Sequence, residues 1–182
     1  MAATVKRNMW LYSTGDGQPV TVEKKLIAAS QGILIPGSIL YMSTDGTLKA
    51  SDTTDASDDK YYGFLIGLED KSSTWPLTAA LAANTKVYVQ KIDAADYYYV
   101  YVENNDSDAT MVQSYVGEEY GLRIATGATK VGYTTMDVNV ATAAVHVVDG
   151  LFNLEPSINA TADAQGIAVV HFVPSTLTGE RA

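Results

Sequence analysis

Cysteine is absent from the chain, so disulfide bonds, thiolate metal sites and a cysteine nucleophile are all excluded. The chain has 182 residues. A domain of this size removes roughly 70% of its unfolded surface from water, which is enough to support a core without covalent links. Its stability must therefore come from packing and hydrogen bonding.

Positive charge is scarce. Lysine and arginine number 12 against 21 aspartates and glutamates, which gives a net charge of −9. The longest cationic stretches are the pairs Lys6-Arg7 and Lys24-Lys25. A surface of this sign repels phosphate backbones, and binding them would need a basic patch that the sequence does not contain. Nucleic acid is therefore not an expected partner.

Long apolar runs are also lacking. No stretch approaches the roughly 20 residues that cross a bilayer, so a membrane partner is not expected. Lys6 and Arg7 are not followed by the apolar segment of a secretory signal. The sequence therefore predicts a protein that is made in a cytoplasm and stays there until an assembly incorporates it.

Only two histidines are available as general bases near neutral pH. His146 and His171 lie inside apolar, strand-like runs, and no Gly-x-Ser-x-Gly turn offers an activated serine. We expect both histidines to be structural, and we expect the protein not to be an enzyme.

Two acidic clusters could be considered as calcium sites: Asp52, Asp55, Asp58 and Asp59 in one, and Asn104, Asp106 and Asp108 in the other. The calcium loop of an EF-hand needs glycine at its sixth position and glutamate at its twelfth. Neither cluster has them. Both are interpreted as solvated loops, and neither a metal nor another cofactor is expected.

Short runs rich in Thr, Val, Tyr and Ile, broken by Gly, Asp, Asn and Ser, predict strands nearly throughout. The predicted strands are 5–12, 19–23, 38–43, 47–50, 61–69, 85–92, 96–103, 114–126, 131–141, 144–152 and 166–173. Asp45-Gly46 predicts a tight hairpin, and 75–83 fits either a short helix or a loop. The fold class is all-β, with small antiparallel barrel or sandwich modules. In 19–23, Val20 and Val22 are expected to point inward.

Tyrosines are frequent, and Tyr97, Tyr99 and Tyr101 alternate with Tyr98, Val100 and Val102, which makes both faces of that strand apolar. Such a strand is either sandwiched or at an interface. Tyr61-Tyr62 and Tyr97–Tyr99 could also form a sugar-binding face. Cross-strand packing is the favoured interpretation.

Three regions are predicted. Residues 1–25 form an N-terminal arm and first strands, 26–103 form one β module, and 104–182 form a second module with a loose tail. The boundary is placed at Asn104–Asp108, which has no apolar residue. No repeat of fixed period is visible.

The extended N-terminal arm is the predicted partner contact. Met9, Trp10, Leu11 and Tyr12 are consecutive, so a strand there presents apolar groups on both faces and cannot hide them all against one sheet. We expect these four residues to contact another subunit or another protein.

The region from about 26 to 92, roughly a third of the chain, resembles the decoration (cement) proteins of tailed-phage capsids. Four elements in order carry the resemblance. They are a Pro36-Gly37 turn that opens a strand, an Asp45-Gly46 hairpin followed by an acidic loop, the stretch Gly63-Phe64-Leu65-Ile66-Gly67, and the valine-rich strand Lys86–Val89. The second module does not match that pattern.

The resemblance implies a structural virion protein that stabilises a capsid by binding the assembled shell of the major capsid protein. It further implies a homo-oligomer, with a trimer favoured, on the capsid surface after synthesis in the host cytoplasm. Two alternatives remain open. One is another virion component, such as a head fibre or tail-associated protein, and the other is a carbohydrate-binding module.

Overall fold

The structure is a computed structural model. It describes residues 9–15, 17, 19–28, 34–50, 60–69, 81–105, 107–124, 133–140, 143–151 and 166–178. Within these ranges the regular secondary structure is almost entirely strand, with single 3-10 turns at Gln113–Tyr115 and Pro174–Thr176. The predicted all-β class is confirmed. The described part of the chain has no helix long and apolar enough to cross a membrane.

Five strands form a closed barrel, which we call barrel one. They are β2 (Val22–Ile27), β3 (Ile39–Met42), β4 (Leu48–Ala50), β5 (Lys60–Leu68) and β6 (Thr85–Lys91). Going round the barrel the order is β2-β4-β3-β5-β6, and only the β2–β4 pair is parallel. The β3–β4 turn is the predicted Asp45-Gly46 hairpin, in which Asp45 Oδ1 accepts a 2.9 Å hydrogen bond from the Thr47 amide.

A second set of five strands also pairs in a ring, which we call barrel two. They are β7 (Tyr97–Asn104), β9 (Glu119–Ile124), β10 (Thr134–Asp137), β11 (Val145–Leu151) and β12 (Ile167–Phe172). The order is β7-β10-β9-β11-β12, and β12 pairs again with β7. Two short strands attach to β7: β1 (Trp10–Ser13) and β8 (Ser107–Asp108).

The two barrels pack on each other through an aromatic contact. Phe64 of barrel one lies 5.3 Å from Tyr98 and 6.1 Å from Phe172 of barrel two, measured between ring centroids. The backbone amide of Ile39 donates a 2.9 Å hydrogen bond to Thr134 Oγ1. Ile39 and Phe64 therefore belong to the hydrophobic core of barrel two, whereas the interior of barrel one has a second core of its own.

Most predicted strands overlap an observed strand, but 19–23 shares only Val22 and Glu23 with β2, and residues 5–8 lie outside the described ranges. The boundary between the modules also moves. Asn104 and Asn105 belong to the tight turn between β7 and β8, where Asn105 adopts a positive φ of 49°. The change from barrel one to barrel two falls instead at residues 92–96, and β1 joins barrel two. A polar, turn-forming stretch has the same composition in a hairpin as in a linker, so composition could not separate the two.

Candidate contact surfaces

The two barrels have the same strand topology. In chain order, β2, β3, β4, β5 and β6 correspond to β7, β9, β10, β11 and β12. Every neighbouring pair matches in orientation, including the single parallel pair, which is β2–β4 in barrel one and β7–β10 in barrel two. Residues of the two barrels can therefore be compared position by position.

The register matches as well. A bulge in β5 follows Leu65, which pairs with Val89, and a bulge in β11 follows Val147, which pairs with Val170. The strands that pair with them, β3 and β9, are each entered through a glycine with φ of 92°. Gly37 donates to the Leu65 carbonyl at 2.7 Å, and Gly117 donates to the Val147 carbonyl at 2.8 Å. The fold is thus a tandem repeat of one barrel, which the sequence did not reveal.

One end of each barrel, which we call its mouth, differs sharply between the two. The mouth of barrel two is apolar, and it is lined by Tyr98, Val100, Ala144 and Phe172, none of them measurably exposed. Phe64 and Tyr61 of barrel one cover this mouth, and Tyr61 lies 5.9 Å from Phe172 between ring centroids. The wall of barrel one therefore closes the mouth of barrel two.

The mouth of barrel one is polar. Its residues at the corresponding positions are Glu23, Lys25, Tyr62 and Lys91. The Tyr62 hydroxyl donates to Glu23 Oε2, and Lys25 Nζ lies 3.0 Å from the same oxygen and 5.2 Å from the Tyr62 ring centroid. Glu23 and Lys25 each keep 32% of their side-chain surface exposed. Part of this mouth therefore remains open to water.

The polar mouth shifts the acidity of its residues. The hydrogen bond from Tyr62, followed by that from Lys25, lowers the pKa of the Glu23 carboxyl below its ordinary value. Bonds to Tyr62 and Glu23 raise the pKa of Lys25, and burial raises that of Tyr62. The ionised carboxylate and the ammonium group thus stabilise each other at neutral pH.

The prediction that Val20 and Val22 point inward was wrong. Both are exposed, whereas Glu23, Lys25 and Ile27 face the interior of barrel one. Alternation alone gives the period of a strand but not which face is buried, and the apolar face was assigned inward by default. The barrel instead directs two charged groups into its mouth, where they pair.

The histidines lie on the outer surface of barrel two. His146 and His171 are cross-strand partners with ring centroids 5.1 Å apart, and both are half-buried. His171 also meets the edge of Tyr97 at 6.2 Å between centroids. Sequence reasoning placed them on apolar strands, which is where they lie, but each points away from the interior. Nothing observed here assigns them a catalytic role.

These two histidines continue a row across the barrel that begins at Glu119, the register partner of His146. We call Glu119, His146 and His171 the outer row of barrel two. The corresponding row of barrel one is Ile39, Phe64 and Gln90, which are cross-strand partners in the same register. This is the wall of barrel one that packs against barrel two. The outer row of barrel two has no such neighbour among the described residues.

The predicted N-terminal contact is only in part an exposed arm. Met9 is 3% exposed within the core of barrel two, and Trp10–Ser13 pair through their backbones with Tyr97–Tyr99 as β1. Leu11 packs partly against the core, whereas Tyr12 is 53% exposed and lies 4.7 Å from Tyr99. Among those of the four predicted residues whose side chains the structure describes, Tyr12 is the most exposed. Partner contact there stays a prediction.

A buried polar cluster lies in barrel two. Arg123 Nη1 lies 2.7 Å from Asp137 Oδ2, and Thr135 Oγ1 donates to Glu103 Oε2 at 2.9 Å. All four side chains are buried. Buried charges of this kind require partners, because desolvation is costly. Sequence reasoning missed the cluster, since its members come from three strands, β7, β9 and β10, and a local pattern does not show which strands pair.

The structure gives no support to a metal site. Within the described ranges, no three His, Asp or Glu side chains come close enough together to hold an ion. The acidic segment 51–59 and Asp106 lie outside the described residues, as does most of the predicted helix or loop at 75–83.

No protein-family model matches the chain, and no curated protein is significantly similar to it. The fold and the surfaces described above are therefore the basis for any functional proposal.

Proposed function

We propose that the protein is a structural virion component that decorates and stabilises a phage capsid by binding the assembled shell of its major capsid protein. The observation that carries the proposal is the position of the decoration-protein-like elements. Apart from the acidic loop, which lies outside the described residues, the elements fall on consecutive parts of barrel one, from the Pro36-Gly37 turn before β3 to Lys86–Val89 in β6. The resemblance therefore spans β3, β4, β5 and β6, which are four of the five strands of barrel one.

The physical properties of the chain fit this role. Closed barrels leave few unpaired strand edges, so a concentrated protein can stay soluble before it meets a shell. A net charge of −9 acts in the same direction. The packed interface between the barrels holds them as one unit, and a rigid unit loses little conformational freedom when it binds. No catalytic step forms part of the proposal.

Co-sedimentation tests the proposal. Purified protein is mixed with assembled shells of the major capsid protein of the same phage and, separately, with that protein unassembled. We expect co-sedimentation with the shells alone and a higher temperature for shell disruption. Absence of binding to assembled shells would refute the proposal. Binding confined to tails or to a single vertex would instead favour the head-fibre or tail-associated alternative.

A further inference from the structure

The wall and the mouth that form the contact between the two barrels each have a corresponding surface on the other barrel. Within the chain, Phe64 in the wall of barrel one covers the mouth of barrel two, and the amide of Ile39 beside it donates to Thr134 Oγ1. Because the barrels share topology and register, barrel two has a corresponding wall and barrel one a corresponding mouth. The wall is the outer row Glu119, His146 and His171. The mouth is Glu23, Lys25, Tyr62 and Lys91.

We propose that the outer row of barrel two in one copy docks on the mouth of barrel one in a second copy, so that the protein associates head to tail. The occupant of each surface is thus another copy of the same chain. The contact would repeat between copies the arrangement that the two barrels already adopt within one. This inference does not depend on a role at the capsid.

The chemistry of the two surfaces is complementary. The mouth of barrel one carries Lys25 and Lys91 with a single carboxylate, Glu23, on a protein that is otherwise strongly acidic. The opposing wall carries the exposed carboxylates of Glu118 and Glu119. Opposite charge at the rim of an interface favours the correct encounter and penalises wrong ones. The contact within the chain is built mainly from aromatic and aliphatic side chains, whereas the proposed contact is polar on both sides.

The internal contact also indicates which side chains would meet. Phe64 lies against Tyr98 and Phe172, and the residues at the corresponding positions are His146 for Phe64, Glu23 for Tyr98, and Lys91 for Phe172. An imidazole N–H can donate to the Glu23 carboxylate from that position. Half-exposed histidines and a partly exposed ion pair would each become buried in the complex.

A head-to-tail contact of this kind has two different faces, so it either closes into a ring or continues as a filament. The trimer expected from the sequence resemblance would be one such ring. Which outcome occurs depends on the rotation between successive copies.

The test measures self-association of the full chain by sedimentation velocity at about 0.15 M salt, where charges more than about 8 Å apart are screened. We expect concentration-dependent association of the unaltered protein. Glu119→Lys on the wall and Lys25→Glu on the mouth should each weaken it at least about tenfold, since like charges would then face each other. Lys86→Glu is the matched control, because it makes the same charge change on the exposed outside of barrel one and should leave association unaltered.

Mixing the two variants tests whether the wall of one copy meets the mouth of another, as opposed to two walls or two mouths meeting. The Glu119→Lys protein keeps an intact mouth and the Lys25→Glu protein keeps an intact wall, so the mixture should recover association that neither shows alone. Circular dichroism and thermal melting verify that each variant is folded. A monomeric unaltered protein, an association that neither variant weakens, or a mixture that stays as weakly associated as its components would overturn the proposal.

Discussion

Barrel one and barrel two share a backbone plan and differ in what lines their mouths. Tyr98 and Phe172 make the mouth of barrel two apolar, and the positions that correspond to them in barrel one hold Glu23 and Lys91. The apolar mouth is covered by the neighbouring barrel, whereas the polar mouth stays partly in water. The difference shows that a few side chains at the end of a small barrel decide whether that end is an internal interface or a surface.

The largest expected loss of stability comes from a substitution in the covered mouth of barrel two. Phe172→Ala should lower the free energy of unfolding by about 3–5 kcal/mol, because the ring is fully buried against Tyr61, Phe64 and Tyr98. Its counterpart Lys91→Ala should cost no more than about 1 kcal/mol. Urea unfolding of both variants measures the difference. Similar losses for the two would mean that the mouths do not differ as described.

A substitution in the buried polar cluster of barrel two should lower the stability almost as much. Asp137→Ala leaves the buried Arg123 guanidinium without its carboxylate, and the expected loss is about 3–5 kcal/mol. Replacing both residues, with Arg123→Met and Asp137→Leu, should recover part of that loss, because neither charge of this ion pair is then left buried without the other. Chemical denaturation of the single and double variants measures this. A double variant as unstable as Asp137→Ala would contradict the explanation.

A smaller effect is expected at the open mouth, and it depends on pH. Tyr62→Phe removes the hydrogen bond to Glu23 and should cost about 1.5 kcal/mol at neutral pH. The pKa of Glu23 is lowered in the folded protein, so the stability it contributes is present above its ordinary pKa of 4.5 and is lost as pH falls through the folded value. The difference in the free energy of unfolding between the unaltered protein and Tyr62→Phe should therefore become smaller in acid.

Thermal unfolding of the two proteins between neutral pH and about pH 3 measures that difference in stability. Tyr88→Phe is the control, since Tyr88 lies on the outside of the same barrel, beside Lys24. A difference that stays constant across the range would show that the hydroxyl does not act through the Glu23 carboxylate.

The smallest expected effect on stability is at β1. Tyr12→Ala removes a half-exposed ring that contacts Tyr99, and it should cost only about 0.5 kcal/mol. If the N-terminal segment makes partner contact, the same variant should bind assembled shells more weakly than the unaltered protein in co-sedimentation. Unchanged binding would remove Tyr12 from the contact and with it the predicted role of this segment.

Much of the fold could be predicted from the sequence, because the signals involved are local. Asp45-Gly46 has the chemistry of a tight hairpin, and the alternation in β7 placed Tyr98, Val100 and Val102 together on one face, where all three are fully buried. Local signals do not give the partner of a strand. They therefore could not show that β1 pairs with β7, or that a polar turn at Asn104 was a hairpin and not a linker.

The duplication could not be seen in the sequence for a physical reason. A barrel needs apolar side chains at inward positions, and Leu65 and Val147 meet that need without being identical. The loops between strands differ in length, so no fixed period survives. The best remaining signals were the glycines Gly37 and Gly117, each of which enters a strand with the same positive φ. Glycine is frequent enough in turns that neither stood out.

A pair of double-mutant cycles tests the central comparison most directly. One cycle measures the coupling between Phe64 and Phe172, and the other measures the coupling between their counterparts His146 and Lys91. All four positions are changed to alanine, singly and in pairs, in protein dilute enough to be monomeric. We predict a coupling of about 1 kcal/mol for Phe64 with Phe172, whose rings are in contact. For His146 with Lys91 we predict none beyond about 0.3 kcal/mol. Equal couplings, or no coupling between the phenylalanines, would contradict the account of one covered mouth and one open mouth.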